Sequence, residues 1–596
     1  MNMPARTSVA FALLAALSAC AVQPVRPSID RAMQTPMRVT EHRGSYDLLS
    51  AGLGLEGLRS PVPPAFATPA APGADEVRRR ALWANWRGIA DLSPAGGYGS
   101  LYGRVPPVPG REYHALATAP GARHPHRVLV QAPDAFDAAA RCLVVAASSG
   151  SRGIYGAIAV AGAWGLPRGC AIAYTDKAAG TDYFDLDARR GVRLDGTVGA
   201  AGEALAFEPA SGGSGGVAFK HAHSGDNPEA DWGEHVRQAA EFGLKALADA
   251  YPQQAPFTFG NTRVIAVGVS NGAGAVLRAA ESAEPWLDAV VAGEPNVYAD
   301  AAGSRALYDY ATEAALLMPC ALPHLGLPAM PGHAERCEAL AQALRVTGSD
   351  LASRQRSAYD ALREGGWSDE ALRAGSISVG FDLWRAVAAG YASAYGRYGV
   401  DSHPCGFRYA AQGPGGAARA ATDVERAAWW SDASGIPPGA GVNLITRQGA
   451  ANPLEDVQCL RALWNTAGAD ARRVREGVAA TRAAVPRRGL PVFVVHGVDD
   501  GLVPMAFSSA PYVAAAREAG RDVRFWQVRN AQHFDAFLGF PQYGAQYVPL
   551  LPYVYRALDL AWAHVTTGDA LPGDRVIETT PRGTRSALTA ADLAMP

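Results

Sequence analysis

Gly268-Val269-Ser270-Asn271-Gly272 follows the β-type run Arg263-Val264-Ile265-Ala266-Val267 and precedes the helix-forming run Ala273 to Glu281. Strand, sharp turn and helix in that order are what a nucleophile elbow requires. The flanking glycines remove the Cβ atoms that would block the turn, and the serine Oγ is lifted clear of the sheet. The pentapeptide alone is a weak signal, because a chain with 65 glycines produces G-x-S-x-G by chance. Its flanks are what turn a strand-to-helix loop into a nucleophile candidate at Ser270.

A serine hydroxyl needs a histidine to take its proton, and that histidine needs a carboxylate to fix its tautomer. Downstream, His496-Gly497-Val498-Asp499-Asp500-Gly501-Leu502-Val503-Pro504 follows an apolar strand. It resembles the acid loop of α/β-hydrolases, with an aspartate four residues after the histidine and a valine-proline pair beyond. Asp500 is the expected acid, Asp499 the second choice and Glu294, at the end of an earlier strand, the third. His533, in Asn530-Ala531-Gln532-His533-Phe534-Asp535, comes directly after the last strand and is the expected general base. The order Ser270, Asp500, His533 is the α/β-hydrolase order. His496 reads as a strand-end packing residue. His221 and His223 lack a third ligand, so no metal and no cofactor are expected. For the oxyanion, Asn271 offers its backbone N–H, and the loop Ser148 to Gly153 is expected to supply a second donor at Ser149, with Gly150 beside it.

The rest of the chain alternates strands and helices. Cys142 to Ala147 and Cys170 to Tyr174 are short apolar runs of the kind buried in parallel sheets. Asp231 to Tyr251 is a long amphipathic helix leading into the Ser270 strand, and further strands are expected at Leu287 to Ala292, Pro491 to Val495 and Val523 to Val528. The fold class is α/β, an α/β-hydrolase with a mostly parallel sheet. Residues 299–485 have helical periodicity, many aromatics and no obvious sheet, and are read as a large helical cap inserted between 76–298 and 486–596. Residues 21–75 read as an extension lying over the body, and Gly191 to Pro228, with its Ser/Gly run, as a flexible excursion.

Composition limits the function classes. The 596 residues carry a formal charge of −2, with 48% hydrophobic and 18% charged residues. That is too apolar for general disorder and offers no basic stripe, so nucleic acid is not an expected partner. The N-terminus reads as an export signal, with a short apolar stretch ending in Leu17-Ser18-Ala19-Cys20, which resembles a bacterial lipobox. Membrane association is expected only through a lipid on Cys20, and the protein is expected to be secreted or a periplasmic or outer-membrane lipoprotein. The other six cysteines are even in number, as in an exported disulfide protein, with Cys320–Cys337 the first choice of bridge and the remaining pairings open. Oligomeric state is left open.

Several strings resemble the D-(−)-3-hydroxybutyrate oligomer hydrolase family of bacterial esterases: Gly96-Gly97-Tyr98-Gly99 with Leu101-Tyr102-Gly103, Ser148 to Gly156, Tyr174-Thr175-Asp176-Lys177, Lys220-His221-Ala222-His223-Ser224, Val269-Ser270-Asn271-Gly272 and Glu294-Pro295-Asn296. The resemblance covers much of the first half and returns around Asp500 and His533. It implies hydrolysis of short 3-hydroxybutyrate oligomers to monomer during polyhydroxybutyrate breakdown. Such substrates are apolar esters ending in a carboxylate, which an aromatic-rich cap would cover and a cation would hold; Arg152 and Lys177, near the oxyanion loop, are the candidate substrate-binding cations. A tannase or feruloyl-type esterase is the main rival. That group joins cysteines placed before its serine and histidine, whereas Val269 and Gln532 stand there in this chain. A binding protein on a hydrolase scaffold would be expected to have lost a triad member, and a peptidase to show propeller repeats.

Overall fold

The computed structural model describes residues 28–150, 152–210, 213, 215–414, 417–432, 441–446 and 453–596. The stretch expected to be an export signal, with Cys20, lies outside them. A ten-stranded sheet organises the chain: β1 (Arg38–His42), β2 (Gly110–Ala117), β3 (His126–Pro133), β4 (Cys142–Ala147), β5 (Ala171–Thr175), β6 (Arg263–Val269), β7 (Ala289–Gly293), β8 (Val492–Gly497), β9 (Val523–Val528) and β10 (Arg575–Ile577). Their spatial order is β1-β2-β3-β5-β4-β6-β7-β8-β9-β10. From β5 to β10 every neighbouring pair is parallel, while β1, β2 and β3 pair antiparallel at one edge. With an elbow after β6, this is the α/β-hydrolase fold.

The central strands are apolar along their whole length because both faces are covered. In β4, Val144 and Ala146 enter one core with Trp86, Tyr553 and Val554. Leu143, Val145 and Ala147 point the other way, into a core with Val236, Ala240 and Val276. Alternation along the strand therefore separates two cores. The helices Trp232–Ala250 and Asn271–Ala279 cover one face and Ala74–Arg87 and Leu551–Thr567 the other.

Three expectations are corrected. The stretch 21–75 is not a mere overlay: β1 extends the sheet by pairing with β2, and Leu48, Leu49 and Leu58 are fully buried in the core. Gly191 to Pro228 is not simply a loop, because Arg190–Val192, Val198–Ala200 and Val217–Phe219 join Tyr183–Asp185 in an antiparallel four-stranded sheet. The chain leaves the main sheet after β7 and returns at β8, and the segment between builds its own aromatic core around Tyr308, Trp367, Trp384 and Tyr391. That cap also holds a small antiparallel sheet, Arg408–Gln412 flanked by Ala418–Arg419 and Val442–Ile445. These strands are too short for sequence periodicity to separate from helix.

The six cysteines other than Cys20 pair as Cys142–Cys170, Cys320–Cys337 and Cys405–Cys459. The first ties β4 to the start of β5, which run side by side, and the other two lie in the cap. No helix among the described residues is long and apolar enough to cross a membrane.

Candidate active site

The turn after β6 holds Ser270 at φ 57° and ψ −125°, a region costly for a residue with a side chain and common at elbows. The two glycines are sterically required. A Cβ on Gly268 would lie 2.3 Å from the Gly272 carbonyl carbon, and one on Gly272 would lie 2.3 Å from Ala147 O. The Ser270 N–H donates to Gly293 O at 2.9 Å, so neighbouring β7 anchors the strained turn.

Loops at the carboxyl ends of β6, β8 and β9 bring the expected triad together. His533 Nε2 is 2.9 Å from Ser270 Oγ, and His533 Nδ1 is 2.7 Å from Asp500 Oδ2. Asp500 is fully buried, and its second oxygen accepts the N–H groups of Leu502 and Val503 at 2.8 and 2.7 Å. Burial opposes its ionisation, but the His533 charge and the bonds from His496 and His533 hold its carboxyl well below the usual carboxylate range. His496, read from sequence as packing, also contacts this carboxylate: Nε2 lies 3.2 Å from Asp500 Oδ2, and Nδ1 accepts from Ser509 Oγ at 2.7 Å. With Nδ1 so occupied, the Nε2–H points at Asp500 and Val503 O.

Asp499, the second choice, makes no contact with His533; its N–H donates to Ala531 O. Glu294, the third, does approach: Oε2 is 3.8 Å from His533 Nδ1. It sits at φ 48° at the end of β7. Burial and the adjacent Asp500 charge push its carboxyl well above the usual range, so it is held neutral beside an ionised partner. Among the described residues, Glu294, Asp500 and His533 form the one cluster with metal-ligand spacing. His533 is already committed on both nitrogens, to Ser270 and Asp500, which leaves it no lone pair for an ion. His221 bonds Glu229 Oε1 at 2.7 Å and His223 Nδ1 accepts from Phe219 N–H, so neither faces the site.

The donors expected for an oxyanion border the same space. Asn271 is the first residue of the elbow helix, where backbone N–H groups have no partner within the helix. Its side chain is clamped: Oδ1 accepts from Asn296 Nδ2 at 2.9 Å, and Nδ2 donates to Tyr391 OH of the cap helix Leu383–Gly396. Ser149 and Gly150 line the cavity, Gly150 at φ 48°.

The two expected cations part company. Arg152 lines the cavity. Lys177 does not meet it: the residue is fully buried behind Ser148, Ser149 and Gly150, where Nζ donates to Ser148 O at 2.5 Å, Ser148 Oγ at 2.8 Å and Gly150 O at 3.1 Å. Burial pushes its ammonium down to about 8. Its place in the sequence beside Asp176, on the loop after β5, carried no sign that the side chain turns inward.

The cavity has a volume of about 700 Å³ and a largely apolar wall, within the usual range for small-ligand sites. A series of phenylalanines runs from the histidine outward. Phe534 is 5.1 Å from the His533 ring, Phe537 4.4 Å from Phe534, and Phe381 and Phe540 are 5.7 and 5.8 Å from Phe537. Phe381 and Phe540 are about half exposed, at 55% and 50%. Sequence reading missed this series, and also Tyr391 and the Asn296 clamp. Spacing of three residues in Phe534, Phe537 and Phe540 was its only trace.

Residues 16–595 match the model of the 3HB-oligomer hydrolase (3HBOH) family. The D-(-)-3-hydroxybutyrate oligomer hydrolase of Paracidovorax citrulli is 35% identical over 92% of this chain and 90% of its own length, and that of an Azoarcus species 38% identical over 92% and 90%. Among solved structures, Candida antarctica lipase A in its closed state aligns with TM-score 0.34 and 12% identity over 82% of this chain and 84% of the lipase. Tannin acyl hydrolase from Aspergillus niger aligns with TM-score 0.35 and 11% identity over 79% and 81%. Those structural likenesses are too distant to bear on substrate. The family match spans nearly the whole sequence, so this chain is a carboxylic ester hydrolase that belongs to the 3HB-oligomer hydrolase family.

Proposed function

We propose that this protein hydrolyses short 3-hydroxybutyrate oligomers, dimer and trimer, to 3-hydroxybutyrate through an acyl-enzyme on Ser270. The relay Ser270 Oγ, His533 Nε2, His533 Nδ1, Asp500 Oδ2, with both links under 3 Å, carries the reading. As Oγ adds to the ester carbonyl, its proton passes to His533 Nε2, and ionised Asp500 stabilises the resulting imidazolium. The N–H groups of Asn271 and of Ser149 or Gly150 receive the negative oxygen. Collapse of the tetrahedral adduct breaks the C–O ester bond, and His533 returns the proton to the departing hydroxyl of the leaving unit. Water, deprotonated by His533, then adds to the acyl group and frees Ser270. The phenylalanine series and the apolar wall suit the methyl-bearing chain. The substrate assignment rests on the names of the relatives, all given as D-(-)-3-hydroxybutyrate oligomer hydrolase.

Export fits the same picture, since three disulfides persist only in an oxidising compartment. Outside the cytoplasm the enzyme would meet oligomers released from degraded polyhydroxybutyrate. The test is to incubate the protein with the dimer, the trimer, p-nitrophenyl butyrate and methyl gallate beside Ser270→Ala. Release of 3-hydroxybutyrate, lost at least about ten-thousandfold in the variant, is expected. Hydrolysis of the gallate but not of the dimer would transfer the assignment to the tannase type.

A further inference from the structure

Arg152 is an unusual group to find on the wall of this cavity. Among the described residues its guanidinium makes one hydrogen bond, from Nη2 to Gly88 O at 2.8 Å, and no carboxylate pairs with it. A Cβ on Gly88 would lie 2.0 Å from Arg152 Nη1, so the glycine is what lets the guanidinium lie along this turn. Burial without an acidic neighbour pushes its ionisation down to about 10. Arg87 borders the same wall, its Nη1 on Arg59 O at 2.9 Å and its guanidinium over Trp83, again with no carboxylate partner among the described residues. The two carboxyls that border the cavity are engaged elsewhere: Glu294 beside Asp500 and His533, and Asp535 on the N–H groups of Leu550 and Leu551 at 2.8 and 2.9 Å. A cation set in a mostly apolar cavity without a counter-ion costs stability unless an anion arrives with the ligand.

We propose that Arg152, seated on Gly88 and reinforced by Arg87, is a carboxylate subsite that makes the enzyme cut its oligomer at the ester nearest the free carboxylate. This rests on the substrate class proposed above and adds a direction to it. In a linear hydroxyalkanoate oligomer every ester has its acyl half toward the hydroxyl end and its alcohol half toward the carboxylate end. Whatever holds the carboxylate therefore holds the leaving group. Arg152 borders the same cavity as Ser270 and Ser149, and its N–H donates to Ser149 O at 3.1 Å, so a carboxylate anchored there shares the cavity with the scissile carbonyl, one unit away in the proposed binding mode. The acyl half, of variable length, extends along Phe534, Phe537 and Phe540 toward the half-exposed rim. Each turnover releases one hydroxy acid from the carboxylate end as the protonated alcohol, and water then releases the acyl remainder, shortened by that unit, with a new carboxylate.

The experiment compares the dimer acid with its methyl ester, and follows a trimer carrying ¹³C in its carboxylate-terminal unit only. The native enzyme is expected to favour the acid by about tenfold or more in kcat/KM, and to release the label first as monomer. In Arg152→Gln the preference for the acid is expected to collapse toward parity, with Arg152→Lys retaining part of it and Gly88→Ala losing most of it. Equal rates on acid and methyl ester in the native enzyme, or label appearing first in the dimer, would overturn the subsite while leaving the esterase assignment intact. Cleavage of p-nitrophenyl butyrate with neither dimer form hydrolysed would instead overturn the substrate class, and the subsite with it.

Discussion

Lys177→Met keeps most of a fully buried stem and removes three donated hydrogen bonds, two to Ser148 and one to Gly150 O. Bonds from a charged donor contribute about 1.5–3 kcal/mol each. Against them stands the cost of burying the ammonium: a fall from 10.5 to about 8 corresponds to about 3 kcal/mol. That cost offsets the three bonds, about 4.5–9 kcal/mol together, only in part, so the expected net loss of stability is about 1.5–6 kcal/mol. Catalysis has no such compensation. The bonds hold the backbone on either side of Ser149, and a misplaced oxyanion donor costs about a hundredfold to a thousandfold in kcat. Steady-state hydrolysis of p-nitrophenyl butyrate, beside urea unfolding of both proteins, separates the two effects. The pH dependence adds a second signature. Between pH 8 and 10.5 the unfolded chain holds a proton that the folded one lacks, so the stability contribution of Lys177 is complete above pH 10.5 and is lost as pH falls through about 8. The ammonium that aligns the loop is present only below about 8. Native stability relative to Lys177→Met is therefore expected to rise above pH 8 while the kcat ratio falls. A folded Lys177→Met protein whose kcat stays within about twofold of the native value would refute the reasoning.

Glu294 is held neutral, so Glu294→Gln is expected to lose less than about tenfold in kcat/KM, whereas Asp500→Asn loses about a thousandfold to ten-thousandfold; parity between them would make Glu294 the working acid. Gly272→Ala drives a Cβ into Ala147 O, and is expected to destabilise by about 2 kcal/mol or more and to reduce activity at least about a hundredfold, read by thermal unfolding and ester hydrolysis. Replacing both Cys405 and Cys459 by alanine opens a link across a separation of 54 residues and is expected to cost up to about 4 kcal/mol in denaturant unfolding. Cys20 is expected to carry a lipid, detectable by mass spectrometry of protein recovered from the producing cells; an unmodified, soluble mature chain would dismiss the lipobox reading.

What the chain itself determined is local. A strand, two glycines and a helix define the elbow within a dozen residues because the glycines are needed by backbone sterics at that spot. The order of Ser270, Asp500 and His533, each just beyond an apolar strand, was legible because parallel strands deliver their carboxyl-end loops to one edge. The Cys320–Cys337 bridge was within reach at 17 residues' separation, while the other two pairings depended on which segments the fold brings together. Tertiary structure alone decided where long side chains end. Lys177 and Arg152 looked equivalent as loop cations, yet one turns inward to three oxygens and the other lies along the cavity wall, because only the closed sheet defines inside and outside there. Tyr391 reaches Asn271 across 120 residues, and β1 joins the sheet from a stretch with little periodicity of its own. Such contacts are set by chain closure, which brings distant residues together without leaving a mark in the sequence near either one.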